Sequence, residues 1–248
     1  MKKSMVAFSL ATVALAFLFP AYGKSPVKLS TVAPVADLAA EAEAKVELIE
    51  GYLKDEETYS GMKKKEIPQA ASVLACLGQA IAEHPQKSEV KAAGADLRDA
   101  SLGIIKSTSY QEARDTFGRI KLALAGQSSG EAKTEHNWHQ LINLQRLMDE
   151  VNARNSKVRR VVRRSRDPRK DSLHATTLAV LALAIHADTH TVKDEKDIPR
   201  WQELSLDFQK SMTTIAAALK EKDKDGAREA YLKAKQSCNH CHDAFRDK

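Results

Sequence analysis

Ala227-Arg228-Glu229-Ala230-Tyr231-Leu232-Lys233-Ala234-Lys235-Gln236-Ser237-Cys238-Asn239-His240-Cys241-His242-Asp243-Ala244-Phe245 decides the fold. Ala227, Tyr231, Ala234, Cys238, Cys241/His242 and Phe245 recur every three to four residues, the period of one helical face. Cys238, Cys241 and His242 stand at i, i+3 and i+4, so two thiols and an imidazole leave the helix along one edge. A strand would send neighbouring side chains to opposite faces and separate them. Cys-x-x-Cys-His is the attachment signature of c-type haem. The thiols add to the two vinyl groups and the histidine binds the iron from the proximal side. A zinc site would need a second ligand pair at short spacing, and a thioredoxin-like pair would need a βαβ setting. The chain offers neither. His240, the second x of the motif, points off that edge.

Working back from this helix, the rest of the chain reads as helical too. Gly, Pro and aromatic residues are few, Ala, Leu, Lys and Glu abundant, and no stretch alternates with period two. Eight helical segments are expected. Leu38, Ala42, Val46, Ile49 and Leu53 mark the first, and Ala71, Leu74, Leu77 and Ile81 the second. The third runs from about Glu89 to Lys106, and Ala113, Phe117, Ile120 and Leu124 mark the fourth. A polar break at Gly126–Gly130 follows. The fifth is expected to begin near Thr134 as N-cap and to carry Leu141, Leu144, Met148 and Val151. Asp167-Pro168 opens the sixth and Ile198-Pro199 the seventh.

The helices repeat. Ala71–Leu77 aligns with Ala175–Leu181, and Ala113–Phe117 with Ala227–Tyr231. That register puts Leu124 opposite Cys238, Gln127 opposite Cys241 and Ser128 opposite His242, so the first copy has no haem site. The expected organisation is all-α, two tandem antiparallel four-helix bundles with haem in the second. Its parts are 1–23 a signal peptide, 24–34 a linker, 35–127 a haemless bundle, 128–134 a linker and 135–248 the haem domain.

Met1–Gly23 has a charged start at Lys2 and Lys3, an apolar run from Met5 to Phe19, and small residues at Ala21 and Gly23. This is a secretory signal, too short in its apolar run for a confident membrane span. It fits a periplasmic or otherwise exported protein, the compartment where haem is ligated to such a motif. Removing it lowers the formal net charge of +6 to +4. Three cysteines, two of them committed to haem, leave Cys76 without a disulfide partner in an apolar helix, where an inert buried thiol is the plainer reading.

From Ile198-Pro199, Trp201, Asp207-Phe208, Ala227, Tyr231, Cys238–His242 and Phe245-Arg246, the second copy resembles class II c-type cytochromes, the cytochrome c-prime family. The resemblance is strong from about Asp197 onward and rests on pattern alone over Glu135–Thr189. It implies an antiparallel four-helix bundle, one covalent haem c on the last helix, and a distal residue from the first helix. It also implies that the basic residue at Arg246 lies close to the proximal histidine and shields it. The fused haemless copy departs from the family pattern.

Two functions stay open. An electron carrier would have histidine and methionine axial ligands, with Met148 the candidate to join His242. A five-coordinate protein binding NO or CO would have an apolar distal pocket, lined by Leu141 and Leu144. His136 and His139 are further distal candidates. No acid–base pair argues for an enzyme. Lys157–Lys170 is a basic run with the charge to dock an acidic redox partner or anionic lipid, although a solvated helix end is the plainer reading. Nucleic acid is disfavoured for want of interleaved aromatics. His186 and His190 have i, i+4 metal-ligand spacing but no third ligand.

Overall fold

The computed structural model describes residues 24–133 and 136–246. The stretch 1–23, expected to be a signal peptide, and the expected cap at Thr134 lie outside them. Among the described residues the secondary structure is helical, with no strand. Nine α-helices form: α1 (Val35–Tyr52), α2 (Glu56–Met62), α3 (Glu66–Glu83), α4 (Gly94–Ile104), α5 (Tyr110–Leu124), α6 (Leu144–Arg163), α7 (Pro168–Ala187), α8 (Ile198–Glu221) and α9 (Lys224–Phe245). The helix beyond the eight expected is α2. Its Asp55 side chain accepts from the Thr58 amide, and Glu56 and Glu57 sit in its first turn. Cap and acids favour a helix start there without any long apolar stripe.

The start of α6 is a second correction. Asn143 caps it, its Oδ1 accepting from the Arg146 amide at 2.9 Å. Leu141 therefore precedes the helix. Trp138–Gln140 is a short 3-10 turn, and Trp138, Leu141 and Ile142 are buried from irregular backbone. Where Asp167-Pro168 was expected to open a helix, it does. Asp167 Oδ1 accepts from the Lys170 amide, and Pro168, which has no N–H to leave unsatisfied, takes the first turn.

In sequence order, α3, α4 and α5 pack one on the next, with α1 against α3 and α5. In the other half α6, α7, α8 and α9 do the same. In the first half α3 and α4 approach so closely that a Cβ on Gly78 would lie 2.7 Å from the Arg98 nitrogen, and one on Gly94 2.5 Å from the Ala82 nitrogen. The first half is filled by its own backbone, and Cys76 is wholly buried in it, its thiol pushed up by burial.

The halves join through α1, α3, α6 and α7, and one apolar core runs through both. Buried Leu38, Glu41, Ala42, Lys45 and Ile49 on α1 have the spacing of buried Leu147, Glu150, Val151, Arg154 and Val158 on α6. The charges cross. Lys45 Nζ lies 3.0 Å from Glu150 Oε1, and Arg154 lies 2.7 Å from Glu41 Oε2. Position i of one half meets j of the other, and j meets i, which is the contact pattern of a two-fold interface. Thr177 donates to Glu41 at 2.7 Å, and Gln69 donates to the Arg146 carbonyl at 2.8 Å.

The two stretches read as linkers are built into this fold. Leu29, Val32 and Ala33 are buried; Thr213 of α8 donates to the Val32 carbonyl at 2.9 Å, and a His84 ring nitrogen lies 3.1 Å from the Ala33 carbonyl. In the second stretch Ser129 is held by Asp96, and the Lys133 amide donates to Asp99.

The helix expected to match α9 differs from it at its end. In the register above, Tyr110 at the start of α5 matches Lys224 at the start of α9. The α5 helix then stops at Leu124, the counterpart of Cys238. Gly126 follows at φ +91°, where only glycine is unstrained, and a Cβ there would meet the Lys91 carbonyl oxygen at 2.6 Å. The turns that would have carried Gln127 and Ser128 in the places of Cys241 and His242 are not helical.

Candidate haem site

The α9 helix is placed by its own small residues. Asp223 caps it, accepting from the Gly226 amide at 2.9 Å, and buried Ala227, Ala230 and Ala234 let it lie close to α8. Its far end is fixed by Phe245, whose ring meets Trp201 of α8 edge-on at 5.2 Å. Trp201 is itself buried and donates from Nε1 to the Ile185 carbonyl at 2.7 Å. Cys238, Cys241 and His242 are thereby held between two anchors rather than on a free end.

Where α9 is pressed to α8, it meets α6 far less. Between α6 and α9 lies a cavity of about 700 Å³, within the range of small-molecule and cofactor sites. The α9 wall carries Cys238, Cys241 and His242; the α6 wall carries Met148, Val151, Asn152, Asn155 and Val162; Ile185, Leu204 and Phe208 close the back. Both thiols are half-buried, and burial pushes the Cys238 thiol up to about 11 and the Cys241 thiol upward as well. Two thiols and an imidazole on one wall of a largely apolar, cofactor-sized cavity fit a covalently held haem.

Of the residues expected at the site, the cavity brings together Cys238, Cys241, His242 and Met148. It does not include Leu141 or Leu144. Leu141 is buried ahead of α6, and Leu144, at its first turn, packs into the general core. Their role as distal lining fails because the N-cap of α6 falls at Asn143, nine residues after the Thr134 expected. Val151 and Asn152, one turn beyond Met148, line the cavity instead. Arg246 is one turn past His242, its amide donating to the His242 carbonyl at 3.1 Å, with its side chain exposed and off the cavity wall.

His136 and His139 do not begin α6 and do not reach the cavity. His136 Nε2 lies 3.1 Å from Asp99, and the His139 ring contacts His190 at 5.2 Å. His190 Nδ1 lies 2.9 Å from Asp188, while His186 is half-buried with its pKa lowered by burial. His240 faces the opposite groove, between α8 and α9. Sequence reasoning missed Arg159, Arg163, Arg228 and Lys235, which also line the cavity. Their spacing carried the signal: Arg159 and Arg163 fall on the Met148–Val151–Asn155 face, and Arg228 and Lys235 stand at the spacing of the α9 stripe.

The chain matches the family model for cytochrome c′ over residues 105–246, more than half of its length. It belongs to the cytochrome c′ family, and is therefore a haem c protein. The match takes in α6 to α9 and reaches back through α5. No curated protein and no solved structure matches the chain. No helix among the described residues is long and apolar enough to cross a membrane.

Proposed function

We propose that this protein is an exported, single-haem electron carrier whose iron is bound by His242 and Met148. The observation that carries the reading is Met148. Of the residues that α6, α7 and α8 contribute to the cavity, it alone offers sulfur or imidazole to the iron. The haem supplies a one-electron iron couple. Cys238 and Cys241 would hold it through thioethers, His242 and Met148 would bind its iron, and Val151, Val162, Leu204 and Phe208 would exclude water. Thioether ligation and an apolar surround both favour a raised potential, and two fixed axial ligands keep reorganisation small. The reading makes the protein a carrier without turnover of its own, serving a redox partner protein in the periplasm. Arg159 and Arg163 tie the basic run Lys157–Lys170 to the cavity mouth, which suits an acidic partner to electron transfer.

The alternative is five-coordinate iron that binds NO or CO. Replacing Met148 by alanine separates the two. The carrier reading expects low-spin haem in the wild type and a high-spin, CO-reactive form with lowered potential in the variant. A wild type already high-spin, or a variant with an unchanged spectrum, overturns it.

A further inference from the structure

Glu83, the last residue of α3, holds a half-buried carboxylate on which three neutral donors converge. The Ser25 amide donates to Oε2 at 2.8 Å. Trp138 Nε1 donates to Oε1 at 3.2 Å, and the Gln79 side chain donates to the same oxygen. Burial raises the Glu83 pKa, and these three donors and the charge of Lys24 oppose the rise. The donors come from parts of the chain far apart in sequence. Ser25 opens an arm, 25–33, that lies against both halves. Its Oγ donates to the Val27 carbonyl at 2.7 Å, Leu29, Val32 and Ala33 are buried, and the Val32 carbonyl is held by Thr213 of α8. Trp138 is buried in the turn ahead of α6, and Gln79 also donates to the His136 carbonyl at 3.4 Å. One carboxylate thus ties together α3, the arm and the entry to the haem half.

The signal cleavage expected from the sequence falls between Gly23 and Lys24, next to this carboxylate. Before the cut the Lys24 backbone nitrogen is a neutral amide. Hydrolysis adds one water across the peptide bond, leaving a carboxylate on Gly23 and an α-amine on Lys24, which takes up a proton. The Ser25 nitrogen already touches Glu83, and the nitrogen of the preceding residue is less than one residue length away. The new ammonium therefore appears within roughly 7 Å of Glu83 Oε2. We infer that Glu83 is the binding site for the α-ammonium of the processed chain, so that removal of the signal fastens the arm to α3 and to the turn before α6. The ligand is a primary ammonium that the chain itself supplies. The Lys24 side chain is exposed and would lose the freedom of a long stem if held there. The α-ammonium sits on backbone that the Ser25 contact already orders, so it adds charge at little further entropic cost. Partial burial strengthens the attraction relative to a pair in open water.

The inference rests on the reading of an exported, signal-cleaved protein and is independent of the axial ligand. Inserting Ser-Gly between Gly23 and Lys24 keeps the residues before the cut and moves the new amine two residues away from Glu83. The holoprotein is melted with and without the insertion, in the wild-type and Glu83→Gln backgrounds. Glutamine keeps an oxygen to accept from Ser25 but carries no charge. With Glu83 present, the insertion should lower Tm by about 2–4 °C, the shift expected of one partly buried ion pair in a chain of this size. In the Glu83→Gln background it should leave Tm unchanged. Equal melting of the two forms with Glu83 present overturns the site, as does the same drop in both backgrounds. Intact mass separates this result from the reading beneath it. A wild-type chain that does not begin at Lys24 overturns the cleavage and the site together, whereas the correct mass with equal melting overturns the site alone. Should Glu83→Gln fail to fold, hydrogen exchange at the Ser25 amide decides in the wild-type background: the insertion should speed it about fivefold, and an unchanged rate overturns the site.

Discussion

Replacing Glu150 with glutamine should cost the protein about 3–5 kcal/mol, the usual penalty for removing one partner of a buried ion pair. The side chains of Lys45 and Glu150 are each only 10% exposed, and Glu150 is the acid at ion-pair distance from Lys45 among the described residues. The substitution leaves the Lys45 ammonium buried without an ion-pair partner, with only the more distant attraction of Glu41. Arg154 loses its 2.7 Å contact with Glu150 but keeps Glu41. For a chain of this size such a loss lowers Tm by roughly 6–20 °C. Burial alone would raise the Glu150 pKa, but the attraction of Lys45 and Arg154 outweighs it and holds the carboxyl at about 2, against an ordinary 4.5. A folded-state value below the unfolded one stabilises the protein above the unfolded pKa, and that stabilisation is lost as pH falls toward the folded pKa. The Tm gap between wild type and Glu150→Gln should therefore be full at neutral pH and narrow as pH falls from about 4.5 toward 2. The assay is thermal melting by far-UV circular dichroism over that range. Replacing both partners, Lys45→Met/Glu150→Leu, should recover most of the loss, because two apolar groups leave no orphaned charge. A single variant within about 1 kcal/mol of wild type, or a double variant no better than the single, would refute the reasoning.

Intact mass spectrometry of protein made with haem-attachment machinery should show one added haem, lost in a Cys238→Ala/Cys241→Ala variant; two haems would mean that the first half binds one by another route. Gly78→Ala should cost about 1–3 kcal/mol by overpacking, read as a lower Tm, while the haem spectrum stays unchanged because the clash lies between α3 and α4, away from the cavity that α6 and α9 line. Met148→Ala should lower the midpoint potential, measured by spectroelectrochemistry, without lowering the helix content.

Residues whose role is local were legible in the sequence. The Cys238–Cys241–His242 edge follows from helical spacing alone, and the start of α7 from a cap and a proline. The start of α6 was not legible, because Trp138, Leu141 and Ile142 make an apolar run that looks periodic yet is buried as irregular backbone. Asn143, three residues before the amide it caps, was the usable signal. Charge was harder to read. Glu41/Lys45 and Glu150/Arg154 have the i, i+4 spacing of solvent-facing pairs, and only the crossing of α1 and α6 buries them. The basic run reads as one feature in sequence, while the helix turns Arg159 and Arg163 to the cavity and Arg160 away from it. Where α5 ends was written in Gly126, whose positive φ closes the helix before a second site can form.

The central claim, a haem iron closed on both faces by His242 and Met148, is tested most directly by the absorption spectrum of the dithionite-reduced holoprotein before and after carbon monoxide. The account predicts a low-spin ferrous spectrum that the gas leaves unchanged; a high-spin spectrum, or rapid formation of the carbon monoxide adduct, would contradict it.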